Sequence, residues 1–432
     1  MKKLLAPLLA SVCVITACGN SAPAVTETVT IAESTTETPE TSEEESEETT
    51  EAETTEAETT EAETEKAART ARTPIESLSD ELYSFQIQVN DDVYQFPMTY
   101  DEFISYGWEY KDDDAEMLDS NYRTTSQVFN MGNLKCYAGF INFDINSKPL
   151  NECYIYSIQF DTSMLKDSDA VITLPKGISI GGSMDEAVAA YGTPTRDSVT
   201  SSGESRYVTY SLSSYQDVEI NSAYQDIDTI GTISVQNITV PEDFVAGEAS
   251  DEVPAVVSKY AAPAQMDDDF SSFVINYGDV LYQLPAPVSV FLDNGWTVVD
   301  DSTETTISGR DAGWVTLMRD NQKLKVLARN YSENATDFKN CFIKNVKSDP
   351  FDNKTPLTIA KGITIGMSQA DLETALTGTE YEKDDSSSSF TYYTIRPLGN
   401  LVDKYQIAIK KETGTVAIIE VSYEPKYADF VK

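Results

Sequence analysis

The chain has 432 residues, 40% of them apolar, which is enough for two or three domains diluted by polar sequence. Its formal charge of −41, from 31 Lys and Arg against 72 Asp and Glu, repels phosphate backbones and argues against nucleic-acid binding. There is no histidine, which removes Ser-His-Asp and Cys-His catalysis, imidazole metal sites and histidine-based pH switching together.

Residues 1–18 form a targeting segment. Lys2 and Lys3 precede an apolar run over residues 4–17, too short for a permanent bilayer span. The run ends in Ile15-Thr16-Ala17-Cys18, which resembles the bacterial lipobox. The small residue before the cysteine suits signal peptidase II. Cys18 is then expected to be the lipidated first residue of a mature protein anchored to the outer face of the cell membrane. Cys13 follows Val12, which is not small, and is the wrong candidate. Residues 19–76 are rich in Thr, Glu, Ala and Ser; between 20 and 73 there are 16 Glu against Lys66, Arg69 and Arg72, a net of −13. Such sequence cannot bury enough surface to offset its ordering entropy, and glutamate repulsion extends it. A disordered acidic stalk is expected, lifting the folded part through the wall. With Lys2 and Lys3 also set aside, the remaining chain carries −30.

An internal duplication follows. Residues 85–89, 94–97, Phe103 and Gly107-Trp108 recur without gaps as residues 273–277, 282–285, Phe291 and Gly295-Trp296, a shift of 188. Asp112-Asp113 maps onto Asp300-Asp301 and Cys153 onto Cys341 at the same shift. The first repeat is assigned to 77–240, a Pro- and Ala-rich acidic linker to 241–268, and the second repeat to 269–432. Within a repeat, residues 85–89 and 93–96 flank an Asn-Asp-Asp turn and predict a hairpin. Tyr100, Phe103, Ile104 and Gly107 fall on one helical face, behind a Thr99-x-x-Glu102 capping box. Strands are predicted over 134–144, 152–161, 207–212, 218–223 and 233–240, and over 390–395, 405–409 and 416–423. No helical pattern separates them, so the pairing is expected to be antiparallel.

The most repeated motif is a short strand, a glycine turn and a capped helix. It runs over residues 176–192 and again over 361–376, now at a shift of 185. Ser183 and Ser368 are placed to cap the helices; Met184, Ala187, Val188 and Tyr191 form an apolar face. Gly181-Gly182-Ser183-x-x-Glu186-Ala187-Val188-x-x-Tyr191-Gly192-x-Pro194 resembles the signature of small outer-membrane assembly lipoproteins of the SmpA/BamE type and of β-lactamase-inhibitor-protein-like (BLIP-like) modules. Gly366-Met367-Ser368 matches its start more closely, whereas Thr377-Gly378-Thr379-Glu380 departs from its end. The resemblance covers about 20 residues per repeat. It implies a helix-on-antiparallel-sheet module, common in exported lipoproteins of Firmicutes, that binds other macromolecules; it implies no active site. The expected fold class is therefore α+β, with two homologous modules, each mostly antiparallel sheet with one or two packed helices.

Catalytic patterns are scarce. Gly177-Ile178-Ser179-Ile180-Gly181 matches a nucleophile elbow in form, but Thr364 replaces the serine in the copy and no histidine is present to act as base. No enzymatic activity is expected and no cofactor is implied. Asp112, Asp113, Asp300 and Asp301 offer hard oxygens for a Ca²⁺ ion, a solvated strand end being the plainer account. Trp108 and Trp296 at equivalent positions point to the core, while the unmatched Trp314 points to the surface; all three are candidates for stacking on a wall glycan or a partner protein. Cys136, Cys153 and Cys341 are an odd set in an exported chain; a Cys136–Cys153 disulfide is one option and small buried thiols the other. The functional expectation is a membrane-anchored, non-enzymatic lipoprotein whose duplicated modules bind a protein or a cell-wall polymer. The alternatives are a solute-binding lipoprotein of a transporter and a carboxylate-dependent wall hydrolase.

Overall fold

The first hairpin sets the pattern for the whole molecule. Gln86–Val89 pairs antiparallel with Asp92–Gln95 around a two-residue turn in which Asn90 takes a φ of 55°, a left-handed conformation that asparagine tolerates. Ile87 and Val89 face the core, with Tyr94 opposite Ile87. The structure, a computed structural model, describes residues 75–431. The expected signal segment, Cys18 and residues 19–74 of the stalk lie outside the described residues.

Each repeat begins with a four-stranded sheet. In the first, the order is Ile178–Ser179, Ile172–Leu174, Gln86–Val89, Asp92–Gln95; in the second, Val280–Gln283, Val274–Tyr277, Leu357–Ile359, Ile363–Thr364. Against it lies the larger sheet. In the first repeat this runs Arg196–Val199, Arg206–Ser213, Gln216–Ala223, Asp226–Asn237, Tyr154–Asp161, Leu134–Ile141, Gln127–Met131, Glu109–Tyr110. Every ladder pairing named strands is antiparallel among the described residues.

The α+β expectation is overturned. Among the described residues strand accounts for 41% and helix for 16%, the latter counting seven 3₁₀ turns together with six short α-helices, of which Met184–Tyr191, with eight residues, is the longest. The helix starts were legible: Thr99, Ser183 and Ser368 side chains accept from the amides of Glu102, Glu186 and Asp371 at 3.1, 3.4 and 3.2 Å. What shortens them is the stop signal. Gly107, Gly192 and Gly378, each at positive φ, follow within about two turns. Lys176 and Lys361 secure two of these ends by donating to Ala190 O at 2.7 Å and to Thr379 Oγ1 at 2.6 Å. The helices are fasteners on a β-rich body.

The larger sheet is split in the second repeat. Gly139 lies where Leu134–Ile141 shifts register against Tyr154–Asp161, and a Cβ there would sit 2.5 Å from Tyr156 Cε1 and 2.9 Å from Thr124 O. The equivalent residue is Leu327. In the second repeat the pairing of Gln322–Arg329 with Phe342–Ile343 is confined to Arg329↔Phe342. The chain then breaks at Lys344, and Asn345–Ser348 joins a separate five-stranded sheet with Thr415–Ser422, Lys404–Lys410, Phe390–Ile395 and Glu382–Asp384.

The repeats meet through equivalent loops. Asn142 Nδ2 donates to the carbonyls of Leu118, Asp119 and Asn146; Asn330 Nδ2 donates to those of Ile307, Ser308 and Asn334. This matched pattern equates Ser120 with Gly309 and 145–147 with 333–335. It is these pieces that touch: Ser120 N donates to Gly309 O at 3.3 Å, Gly309 N to Ile145 O at 2.7 Å, Ser147 N to Glu333 O at 2.7 Å and Ala335 N to Asn146 Oδ1 at 2.7 Å. Contact between like surfaces is the mark of an isologous, two-fold-like pairing. The segment 241–268 is threaded across this junction. Phe244 packs on Phe143 and Tyr154, Gly247 N donates to Asp144 Oδ2, and Ser250 N donates to Ala335 O of the other repeat.

Candidate binding surfaces

Two core clusters, one per repeat, absorb the matched aromatic residues. Trp108 and Trp296 are each 2% exposed. Trp108 lies parallel to Phe103 at 5.5 Å and donates to Tyr94 Oη at 3.2 Å; Trp296 lies parallel to Tyr277 at 5.6 Å. Their indoles are structural. Trp314 differs. It is 48% exposed on Ala312–Arg319, with Lys325 Nζ 4.6 Å above its ring. The structure therefore separates the three tryptophans rather than bringing them together.

The aspartate pairs are exposed. Asp112 and Asp113 lie in a loop, where Asp113 Oδ1 accepts from Ala115 N, and Asp300 and Asp301 open a single 3₁₀ turn. Among the described residues no group of three or more His, Cys, Asp or Glu converges in a way that suits a metal ion. Cys136, Cys153 and Cys341 are buried free thiols. Tyr137 pairs with Gln159, which directs Cys136 toward the Phe160 end of the neighbouring strand and away from Cys153.

Two features escaped the sequence reading. The first is a cleft of about 590 Å³ in the second repeat, between residues 398–403 and 423–429, with Tyr331, Tyr423 and Tyr427 among its lining groups. Its outer rim is an insertion: the first repeat connects the equivalent strands, Arg206–Ser213 and Gln216–Ala223, by a tight turn. Arg310 caps the neighbouring ground, 4.0 Å over the Tyr427 ring and 3.7 Å from Asp119. Burial pushes the Asp119 carboxyl up, while Arg310 and Arg329 oppose the shift.

The second is Asp217, on the outer face of the nine-stranded sheet. Burial, then the charge of Glu219 beside it, pushes its pKa up to about 6 against the pull of Arg123. A folded-state value above the unfolded one favours the fold when the group is protonated. That stability is present below about pH 4 and is lost as pH rises through about 6. Asp217→Asn is therefore expected to raise the urea midpoint at pH 7.5 and to change it little at pH 4. An equal effect at both pH values would refute the assignment.

No protein-family model matches this chain, and a search of curated proteins found no matching relative.

Proposed function

We propose that this protein is a membrane-anchored extracytoplasmic lipoprotein that acts by binding, not catalysis, and that its paired repeats hold a cell-wall polymer or a protein. The observation that carries the reading is Trp314. An indole 48% exposed on a sheet face, with a lysine ammonium over its ring, leaves about half of its apolar surface for a partner to cover. The first repeat has Ser126 at that position, so the feature belongs to one copy and not to the shared fold. The hydrogen-bonded junction between repeats supports the same reading, because two surfaces already placed side by side engage an extended partner at a reduced ordering cost.

Co-sedimentation of the purified protein with isolated wall, and affinity capture from exported proteins, test the reading directly. Enrichment with either is expected, and Trp314→Ala should weaken it about tenfold or more. No enrichment with either partner class sinks the proposal. Anchoring has its own test: Cys18→Ala is expected to release the protein from the membrane fraction, and a variant that stays membrane-bound refutes lipidation at Cys18.

A further inference from the structure

The chain's acidity is not uniform. Residues 319–361 hold nine Lys and Arg against five Asp and Glu, a net of +4 within a chain of −41. The fold gathers several of these cations at one corner of the second repeat. Buried Asn353 is the knot: its Nδ2 donates to Tyr277 Oη at 2.8 Å and to Lys323 O at 3.1 Å, and Tyr277 Oη donates to Lys347 O at 3.3 Å. Lys354 N donates to Gln322 Oε1 at 2.7 Å. The backbones of Lys323, Lys347 and Lys354 are thus tied within one small network, and Lys325 follows on the same face of its strand as Lys323.

The split sheet adds to this. Tyr137 and Gln159 of the first repeat belong to a continuous ladder; the equivalent positions are Lys325 and Lys347, on strands that belong to two different sheets. Lys347 is partly neutralised by Asp349 at 3.1 Å. Among the described residues Lys323, Lys325 and Lys354 have no carboxylate within salt-bridge distance. Exposed apolar rings flank the group: Trp314 on one side and Phe351, 69% exposed, in the loop that carries Lys354.

We infer that this corner binds a sugar polymer linked through phosphate groups, a deeper statement of the wall-binding reading on which it rests. Charge complementarity selects an anion in a protein that otherwise repels anions. Lysines two residues apart on a strand project at a spacing of ~7 Å, so a chain with regularly repeating charges engages them in succession. The half-exposed indole of Trp314, with Lys325 Nζ over its ring, sets apolar surface next to a cation, as a sugar ring next to its phosphate requires. An acidic peptide satisfies the lysines but leaves the rings uncovered.

The test uses the detergent-solubilised full chain and isolated wall, either native or stripped of its phosphate polymers with hydrofluoric acid. Binding to native wall is expected to fall at least tenfold on stripping, and equally in the triple variant Lys323→Glu, Lys325→Glu, Lys354→Glu. It should also weaken steeply with added salt, as counterion release requires. The neutral variant Lys323→Gln, Lys354→Gln should show an intermediate loss with an unchanged unfolding midpoint, which guards against misfolding as the cause. Binding that ignores both stripping and charge reversal overturns this inference and leaves the wider proposal standing on a neutral glycan. Competition by polyglutamate as strong as by the released sugar-phosphate polymer overturns it in favour of an acidic protein segment. Absence of binding to either wall, with no protein captured, removes both.

Discussion

Gly309→Ala is expected to uncouple the two repeats. A Cβ at Gly309 would lie 1.9 Å from Glu333 O and 2.7 Å from Ser147 N, both backbone atoms at the junction. Neither can yield by a side-chain rotation, so the loops must separate. Overpacking at an ordinary core site costs about 1–3 kcal/mol, and the upper end is expected here because three inter-repeat hydrogen bonds meet at this point. The signature is specific. The parent protein should melt in one cooperative calorimetric transition, and the variant in two, since each repeat keeps its own core. A single transition with an unchanged midpoint shows that the junction tolerates the methyl group and that the pairing is looser than described.

Trp108→Ala and Trp296→Ala are expected to cost about 3–5 kcal/mol each, with Trp314→Ala within about 0.5 kcal/mol of the parent. Trp108 gives up its stacking on Phe103 and leaves Tyr94 Oη without its donor; Trp296 gives up its stacking on Tyr277. Trp314 loses contact mainly with water and Lys325. Urea unfolding of the three variants measures this. A small loss at Trp108 together with a large one at Trp314 reverses the division between core and surface on which the proposed function depends. Combined with the wall-binding assay, the series also separates a binding defect from a folding defect. Only Trp314→Ala should lose binding while keeping stability.

The duplication, the hairpins and the helix caps were legible in the sequence because each is local. Asn90 supports its own turn, and Thr99, Ser183 and Ser368 bond amides three residues ahead. The fold class was misjudged because a capped amphipathic start announces a helix but not its length, and the glycine stops arrive early. The polar strands Arg196–Val199 and Glu382–Asp384 were missed because they sit at sheet edges, largely exposed, where no alternating apolar pattern is needed. Of the candidate site residues, Trp314 was singled out as unmatched between the copies, and the structure places it on the surface.

By itself the sequence determined the internal repeat and the antiparallel habit and carried the lipobox expectation, since composition, spacing and turn chemistry act without long-range information. Only the tertiary structure decided three things. It paired the repeats through like loops rather than in tandem file, it threaded residues 241–268 across both, and it drew Lys323, Lys325, Lys347 and Lys354 into one corner. Each depends on contacts between residues far apart in the chain: Gly309 against Ile145, Ser250 against Ala335, Asn353 against Tyr277. A net charge summed along a chain says nothing of where the charges meet, and here the fold places a basic corner on an acidic protein.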